Sequence, residues 1–253
     1  MEYLESQRSW EHRKSEEERK VAAFYRKQQT DGALERSKKY SLAEKVILKP
    51  SWDLLSKSLG QVLASRKTTS SKALRPLNFA ELSTFLMASS GLQRSLPGAD
   101  PSREWQRTVP SAGGLYGAEV YFFCLNVDGL REGLYHFQPE EGVLERLPWK
   151  IQDDDRDLVF SSANAREAQK TASGLIMITG VFQRHRRKYG HRYLRFCMLE
   201  VGCLCQNMDL AANAMGAGLW HQGAIDEGRS RRLLHVDGQQ ESVLHSALLL
   251  GAG

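Results

Sequence analysis

No stretch of this 253-residue chain approaches the roughly 18 consecutive apolar residues of a membrane-spanning helix. The opening MEYLESQRSWEHRKSEEERK is charged throughout and lacks the apolar core of a secretory signal, so the chain is expected to stay in the cytoplasm. Cysteine is scarce. Cys124, Cys197, Cys203 and Cys205 lie among apolar neighbours with no Cys-x-x-Cys pair, which predicts neither a zinc site nor a disulfide framework, but reduced core residues and no bound metal. No large charge excess exists either: the formal charge of +5 does not by itself indicate nucleic-acid binding. Internal repeats and low-complexity segments are also absent.

What remains is an ordinary globular composition, 41% hydrophobic and 26% charged, long enough for one main domain. The basic residues are unevenly placed. Arg184 to Arg195 reads RHRRKYGHRYLR, six Lys or Arg and no acid, whereas Met1 to Tyr40 mixes ten basic with eight acidic residues. The first run predicts a nearby anion, or else a solvated basic loop. Residues 1–50 read as a charged extension, helical and solvated or facing a partner, ahead of a domain over 51–253.

A helix is predicted from Ser51, carrying Leu54, Leu55, Leu59, Val62 and Leu63 on one face. Asn78 with Glu81 three residues on, flanked by Leu77 and Leu82, predicts a capped helix that ends at Gly91. From Ala118 the chain turns β-branched and aromatic, and three strands of an antiparallel meander are expected to Leu147. Ser173 to Phe182 and Val243 to Leu250 predict further buried strands. Between them, Tyr193 to Met215 predicts a long helix buried on most sides, with small residues such as Gly202, Ala211 and Ala212 allowing close approach. Helices and strands interleave without strict alternation, so the fold class is α+β, a sandwich with a mixed sheet.

Three segments could carry chemistry. Arg107-Thr-Val-Pro-Ser-Ala-Gly-Gly-Leu-Tyr116 places Ser111 beside Gly113 and Gly114, whose backbone a flat ligand can approach; an ordinary Gly-rich turn fits it as well. It has no Gly-Lys-Ser/Thr ending and so is no Walker loop. Lys188-Tyr189 is the second. An isolated tyrosine is a poor base near neutrality, but an adjacent ammonium favours the phenolate, which makes the pair a proton-transfer unit, or a surface lysine followed by a packed ring. Arg66-Lys-Thr-Thr-Ser70 is the third, alternating cations and hydroxyls as a phosphate site would, or as a frayed helix end would. His136 and His221 are read as structural, and Cys203 and Cys205, two apart on a helix, cannot face one ligand together.

The order and spacing of these segments resemble the SagB-type azoline dehydrogenases of the nitroreductase superfamily. The likeness covers residues 50–253 and rests on Pro110 to Tyr116 with Glu119-Val120, on Gly133-Leu-Tyr-His136, and on Lys188-Tyr189 continuing through Arg192, Arg195, Glu200-Val-Gly202 and Gln206-Asn207, with Leu250-Gly251 at the end. The resemblance implies a nitroreductase-like three-layer sandwich, a mainly antiparallel sheet around a long central helix, and a homodimer with FMN between subunits. It implies oxidation of thiazolines or oxazolines to azoles in a ribosomally made peptide, flavin N5 taking a hydride while Lys188 and Tyr189 handle the proton. By the same likeness Arg66, Thr68 and Ser70 fall on the FMN phosphate, and Ser111, Gly113 and Gly114 beside the flavin ring. Ser70 stands where a cation is usual, so Arg107, Arg192 or Arg195 are candidates for the missing charge; Gly117 replaces the common proline after Leu-Tyr. Cyclodehydratase subunits of a synthetase complex are the expected partners, with no nucleic acid and no membrane. An NAD(P)H-dependent flavin reductase and a non-redox scaffold subunit are the alternative readings.

Overall fold

The computed structural model describes residues 35–68, 75–98, 105–149, 151, 172–223 and 225–251, with Arg19 and Asp155 besides. Of the extension expected to be helical over residues 1–50, residues 1–34 apart from Arg19 lie outside the described residues, as does Ser70, and residues 35–50 hold a strand and no helix.

Seven strands form one sheet: Glu44–Ile47 (β1), Ala118–Cys124 (β2), Gly133–Gln138 (β3), Val143–Arg146 (β4), Ala172–Val181 (β5), Gly218–Gln222 (β6) and Glu241–Leu250 (β7), in the order β1-β4-β3-β2-β5-β7-β6. Every pairing between them is antiparallel, so the sheet is not mixed. The expected meander is β2-β3-β4, with Phe122 opposite Tyr135 and Phe137 opposite Leu144. Both faces of the sheet are covered, which is why β2 and β5 read as unbroken apolar runs and not as an alternation.

Successive side chains of β2 point to opposite layers. Val120, Phe122 and Cys124 meet the helices Phe79–Ser90 (α2) and Tyr193–Met215 (α4) through Phe85, Leu86, Val201, Leu204 and Met208. Tyr121 and Phe123 belong to the other layer, with Leu233 and Leu234 of the helix Glu227–Leu234 (α5). The result is the expected three-layer α+β sandwich. Asn78 caps α2 as predicted, its side chain accepting from Glu81 N–H at 2.9 Å while the Glu81 carboxylate accepts from Asn78 N–H at 2.8 Å. Among the described residues no helix is long and apolar enough to cross a membrane.

Three expectations change. The helix from Ser51 is a 3-10 turn, Trp52–Leu55, followed by a separate helix, Leu59–Ser65 (α1), because Ser58 forms its own capping box with Gln61. Only Val62 of α1 is buried. The long helix α4 is not buried on most sides: Leu194, Met198 and Leu199 are 46%, 50% and 59% exposed, and Gly202 and Cys203 share their outward face. Cys203 is therefore not a core residue, although Cys124 and Cys197 are. Finally, the boundary at residue 50 falls inside the folded unit. β1 pairs with β4, and ahead of it Lys38 N–H donates to Glu119 at 2.7 Å and Tyr40 N–H to Glu145 at 3.1 Å. This segment docks through hydrogen bonds more than through apolar side chains, so it leaves no hydrophobic periodicity to read.

Candidate functional site

The glycine-rich segment enters a short 3-10 turn, Ala112–Gly114, in which Gly113 and Gly114 have φ of 67° and 63°. These are left-handed conformations that favour glycine. Space adds a second constraint at Gly113: a Cβ there would lie 2.4 Å from Lys188 Nζ and 2.9 Å from Tyr189 Oη, whereas one on Gly114 would meet nothing within 4 Å. Lys188 and Tyr189 therefore stand directly over Gly113, and Gly114 presents open backbone beside them. Two of the three segments singled out from sequence are thus one site.

Lys188 and Tyr189 close the helix Phe182–Tyr189 (α3), which Gly190 terminates. The sequence there reads as a basic run, yet α3 turns its charges alternately in and out. Arg184 ion-pairs with buried Glu119 at 2.5 Å and donates to Tyr116 O at 2.6 Å; Arg186 lies 4.4 Å from the Tyr193 ring centre; Lys188 is only 3% exposed. The anion the run calls for is, for Arg184, internal. Tyr189 packs its ring 4.1 Å from Phe196 and 6.2 Å from His185, with Lys188 Nζ 5.5 Å from its centre.

The turn is held from beneath by Glu200 of α4, which sequence reasoning noted but assigned no role. Ser111 Oγ donates to Glu200 Oε2, and Ala118 N–H donates to Oε1 at 2.8 Å. Ser111 Oγ also accepts from Tyr116 N–H at 2.9 Å, which braces Tyr116 at its positive φ of 47°. Burial pushes the Glu200 carboxyl up, but contacts with His185, Ser111 and the Ala118 N–H outweigh it and hold the group below its ordinary value. His185 sits with Nδ1 3.3 Å from Cys197 Sγ and Nε2 3.4 Å from Glu200. A Cβ on Gly117 would fall 2.5 Å from His185 Nδ1, so the ring of His185 accounts for a glycine, and no proline, at this position.

Behind the loop, Glu119 and Glu145 clamp His136 at 2.9 Å and 2.8 Å, all three buried. Burial raises the Glu119 carboxyl, yet Arg184, His136 and Arg107 bring it down to about 2. Burial lowers His136, and its two carboxylate partners more than reverse this, so it stays protonated above its ordinary range. The structural reading of His136 fits this geometry; its pairing with residues 119 and 145 depends on strand register, which composition does not give.

The other predicted residues are dispersed. Arg107, 4% exposed, is turned inward: its guanidinium donates to Arg36 O at 2.6 Å and stacks 4.7 Å from the Tyr116 ring centre. Arg66 caps the end of α1 and lies 4.0 Å from Asp209 of α4, with exposed Thr68 beyond it. Arg192 precedes α4, and Arg195 is exposed on its first turn beside Leu194. Asp209, and Arg66 with it, is about 21 Å further along that helix than Arg195, so within one chain these arginines mark opposite ends of α4.

Residues 64–252 match the family model described as Nitroreductase family. A relative from Methanocaldococcus jannaschii, named as a nitroreductase, is 29% identical over 179 residues, covering 70% of this chain and 84% of that one. A solved structure from Anabaena variabilis, also named as a nitroreductase, superposes with a TM-score of 0.63 at 22% identity over 90% of this chain; it covers 46% of that chain, so this protein spans about half its length. In the E. coli microcin synthetase McbBCD complex with truncated pro-MccB17 bound, one chain superposes with a TM-score of 0.61 at 18% identity, over 89% of this chain and 81% of that one. At such identities the structural likeness establishes the fold alone.

Proposed function

Because this chain belongs to the nitroreductase family, we propose that it is an FMN-dependent azoline dehydrogenase, converting thiazoline or oxazoline rings in a ribosomally made peptide to thiazole or oxazole. The observation that carries this reading is the convergence of the buried Lys188 amine and the Tyr189 phenol over Gly113, with open backbone at Gly114 alongside. Members of the family commonly bind a flavin. The residues present fit one: a planar ring can lie against Gly114, where even an added Cβ would touch nothing, bounded by Ser111 and Gly113. Arg66 and Thr68 at the end of α1 would receive the phosphate, since the 4.0 Å pair with Asp209 leaves the guanidinium only loosely held.

Bound FMN supplies the two-electron acceptor for the hydride that leaves one azoline carbon. The chain's own residues do the rest. The neighbouring carbon gives up its hydrogen as a proton to the Tyr189 phenolate, which the Lys188 ammonium beside it stabilises, and the electrons of that C–H bond become the new ring double bond. Two hydrogens leave, one as hydride and one as proton, and the ring becomes aromatic. Glu200 takes no part in bond changes; it positions the Ser111–Gly114 turn through Ser111 and the Ala118 N–H. One chain of the microcin synthetase McbBCD complex, which holds a truncated pro-MccB17, shares this fold, and this supports a substrate of that kind and partner subunits in a synthetase complex, for which we expect cyclodehydratases. The outward apolar face of α4, Leu194, Met198 and Leu199, supports a homodimer with the flavin between subunits.

The test is azole formation per mole of bound FMN in Lys188→Ala and Tyr189→Phe. Both variants should fold, bind flavin and be reduced by dithionite, yet turn over about a hundredfold to ten-thousandfold more slowly. The double variant should be little worse than the worse single one, since the two act as a unit. Near-wild-type rates in both would refute the assignment. The nitroreductase name of the M. jannaschii relative favours a second reading, NAD(P)H-driven flavin reduction; rapid nicotinamide oxidation without azole formation would select it.

A further inference from the structure

Packing of α4 against the β6-β7 edge gathers three donors that are far apart in sequence. Cys205 comes from α4, His221 from β6 and His245 from β7, and their ligand atoms all lie within 4.8 Å of one another. His221 Nδ1 and His245 Nε2 are 2.7 Å apart, with ring centres 4.9 Å apart. On the other side of its ring, His221 Nε2 faces Asp209 Oδ2 at 3.3 Å. Asp209 sits one helical turn after Cys205, and its second oxygen is buried with no hydrogen-bond partner among the described residues.

A carboxylate behind an imidazole fixes the tautomer that metal ligation needs. An Nε2 proton on His221 turned to Asp209 would leave the Nδ1 lone pair, which meets His245 Nε2 in this structure, for a metal held between His221, His245 and Cys205. From these observations we propose that Cys205, His221 and His245 bind a divalent transition metal of the zinc class, with Asp209 orienting His221 and a fourth coordination place open to water or a small anion. One thiolate and two imidazoles are a borderline-soft set that suits zinc and disfavours magnesium or calcium. Tetrahedral zinc bonds of about 2.0–2.3 Å set neighbouring donors about 3.3–3.8 Å apart, so the two imidazole nitrogens, 2.7 Å apart, would part by about 0.6 Å and the more distant donor would draw in by about 1 Å, within reach of side-chain torsions. Cys205 is partly exposed and the His221 side chain 26% exposed, leaving an entry path. Arg66, 4.0 Å from Asp209, occupies none of the three donors. Binding replaces the thiol proton of Cys205 by the metal and involves no redox change. The absence of Cys-x-x-Cys spacing predicted no metal; this site uses one cysteine and two histidines brought together by the packing of α4 on the paired strands β6 and β7.

The experiment is a Co²⁺ titration of purified, chelator-treated protein, followed by competition with Zn²⁺. One equivalent per chain is expected, with a thiolate-to-cobalt charge-transfer band that Zn²⁺ abolishes. Cys205→Ser should remove the band, and His221→Gln or His245→Gln should weaken Zn²⁺ binding at least tenfold, while Cys203→Ser on the outward face changes neither. A wild-type titration without the band, a band that survives Cys205→Ser, or one lost in Cys203→Ser overturns the proposal. Alkylation of the wild type gives a check independent of how the variants fold: Zn²⁺ should protect Cys205 and not Cys203, and equal labelling of Cys205 with and without Zn²⁺ counts against the site.

Discussion

Gly113 and Gly114 offer a paired substitution in which backbone cost is matched and side-chain space is not. Both have positive φ, 67° and 63°, so alanine at either position should cost about 1–2 kcal/mol of stability from the left-handed backbone alone. For a chain of this size that lowers Tm by about 2–8 °C in each variant. Their other consequences diverge. The Cβ of Gly113→Ala would arrive 2.4 Å from Lys188 Nζ and 2.9 Å from Tyr189 Oη. Ordinary contact distances then require the amine to retreat by about 1 Å, a displacement that can lower turnover on the order of a hundredfold. Gly114→Ala meets nothing in the protein and should leave the pair in place, but its methyl would occupy the surface on which a flavin ring is proposed to lie. Flavin content by absorbance ratio and azole formation per bound flavin separate the two effects. Gly113→Ala should keep its flavin and lose turnover; Gly114→Ala should lose flavin and, on the fraction retained, turn over more normally. Wild-type flavin retention in Gly114→Ala would refute the ring bed. Undiminished turnover in Gly113→Ala would refute the role of the residues standing over it.

The remaining predictions concern the buried charges and the outer face of α4. His136 titrates above its ordinary value, so its contribution to stability is complete below about pH 6.5 and fades as pH rises through the folded value, whereas that of Glu119 is present above its ordinary value of 4.5 and fades as pH falls toward about 2. Urea midpoints of His136→Gln across the pH range should therefore lack the alkaline-side slope expected of the wild type, and identical slopes above pH 6.5 would show that His136 is not charged in the fold. Replacing Met198 and Leu199 by lysine puts charge on an apolar face that is already half exposed, so light scattering should report a monomer with Tm close to that of the unassociated wild-type chain; a dimer that persists at micromolar concentration would place the interface elsewhere.

Several elements were legible because local chemistry and burial agree. Asn78 and Glu81 bracket the start of α2 by side-chain bonds that span only three residues, and the full length of α4 follows from a helical pattern between Tyr193 and Met215. The strands β2, β5 and β7 are apolar enough to have no competing assignment, and β3 and β4 follow from the Pro139-Glu-Glu-Gly142 turn between them. Other elements gave no such signal. β1 is short and polar and forms by pairing with β4; β6 carries Trp220 and His221 in place of an apolar run; α3 looks like a solvated basic run because the partners of its inward charges are remote in sequence.

The candidate site divides along the same line. By itself, the sequence determined which residues are chemically able to act: a lysine-tyrosine pair, a hydroxyl beside two glycines, and a likeness that placed them in one enzyme family. Tertiary structure alone decided that Lys188 and Tyr189 stand over Gly113, that Glu200 holds the turn beneath them, and that Arg107 and Arg184 are spent on Tyr116 and Glu119. It also decided that Cys205, His221 and His245 meet at all. The physical reason is range. Caps, turns and periodicity act over a few residues and leave a local trace, whereas the pairing of buried charges and donors is set by strand register and helix packing across separations of up to about two hundred residues, as between Lys38 and Glu241.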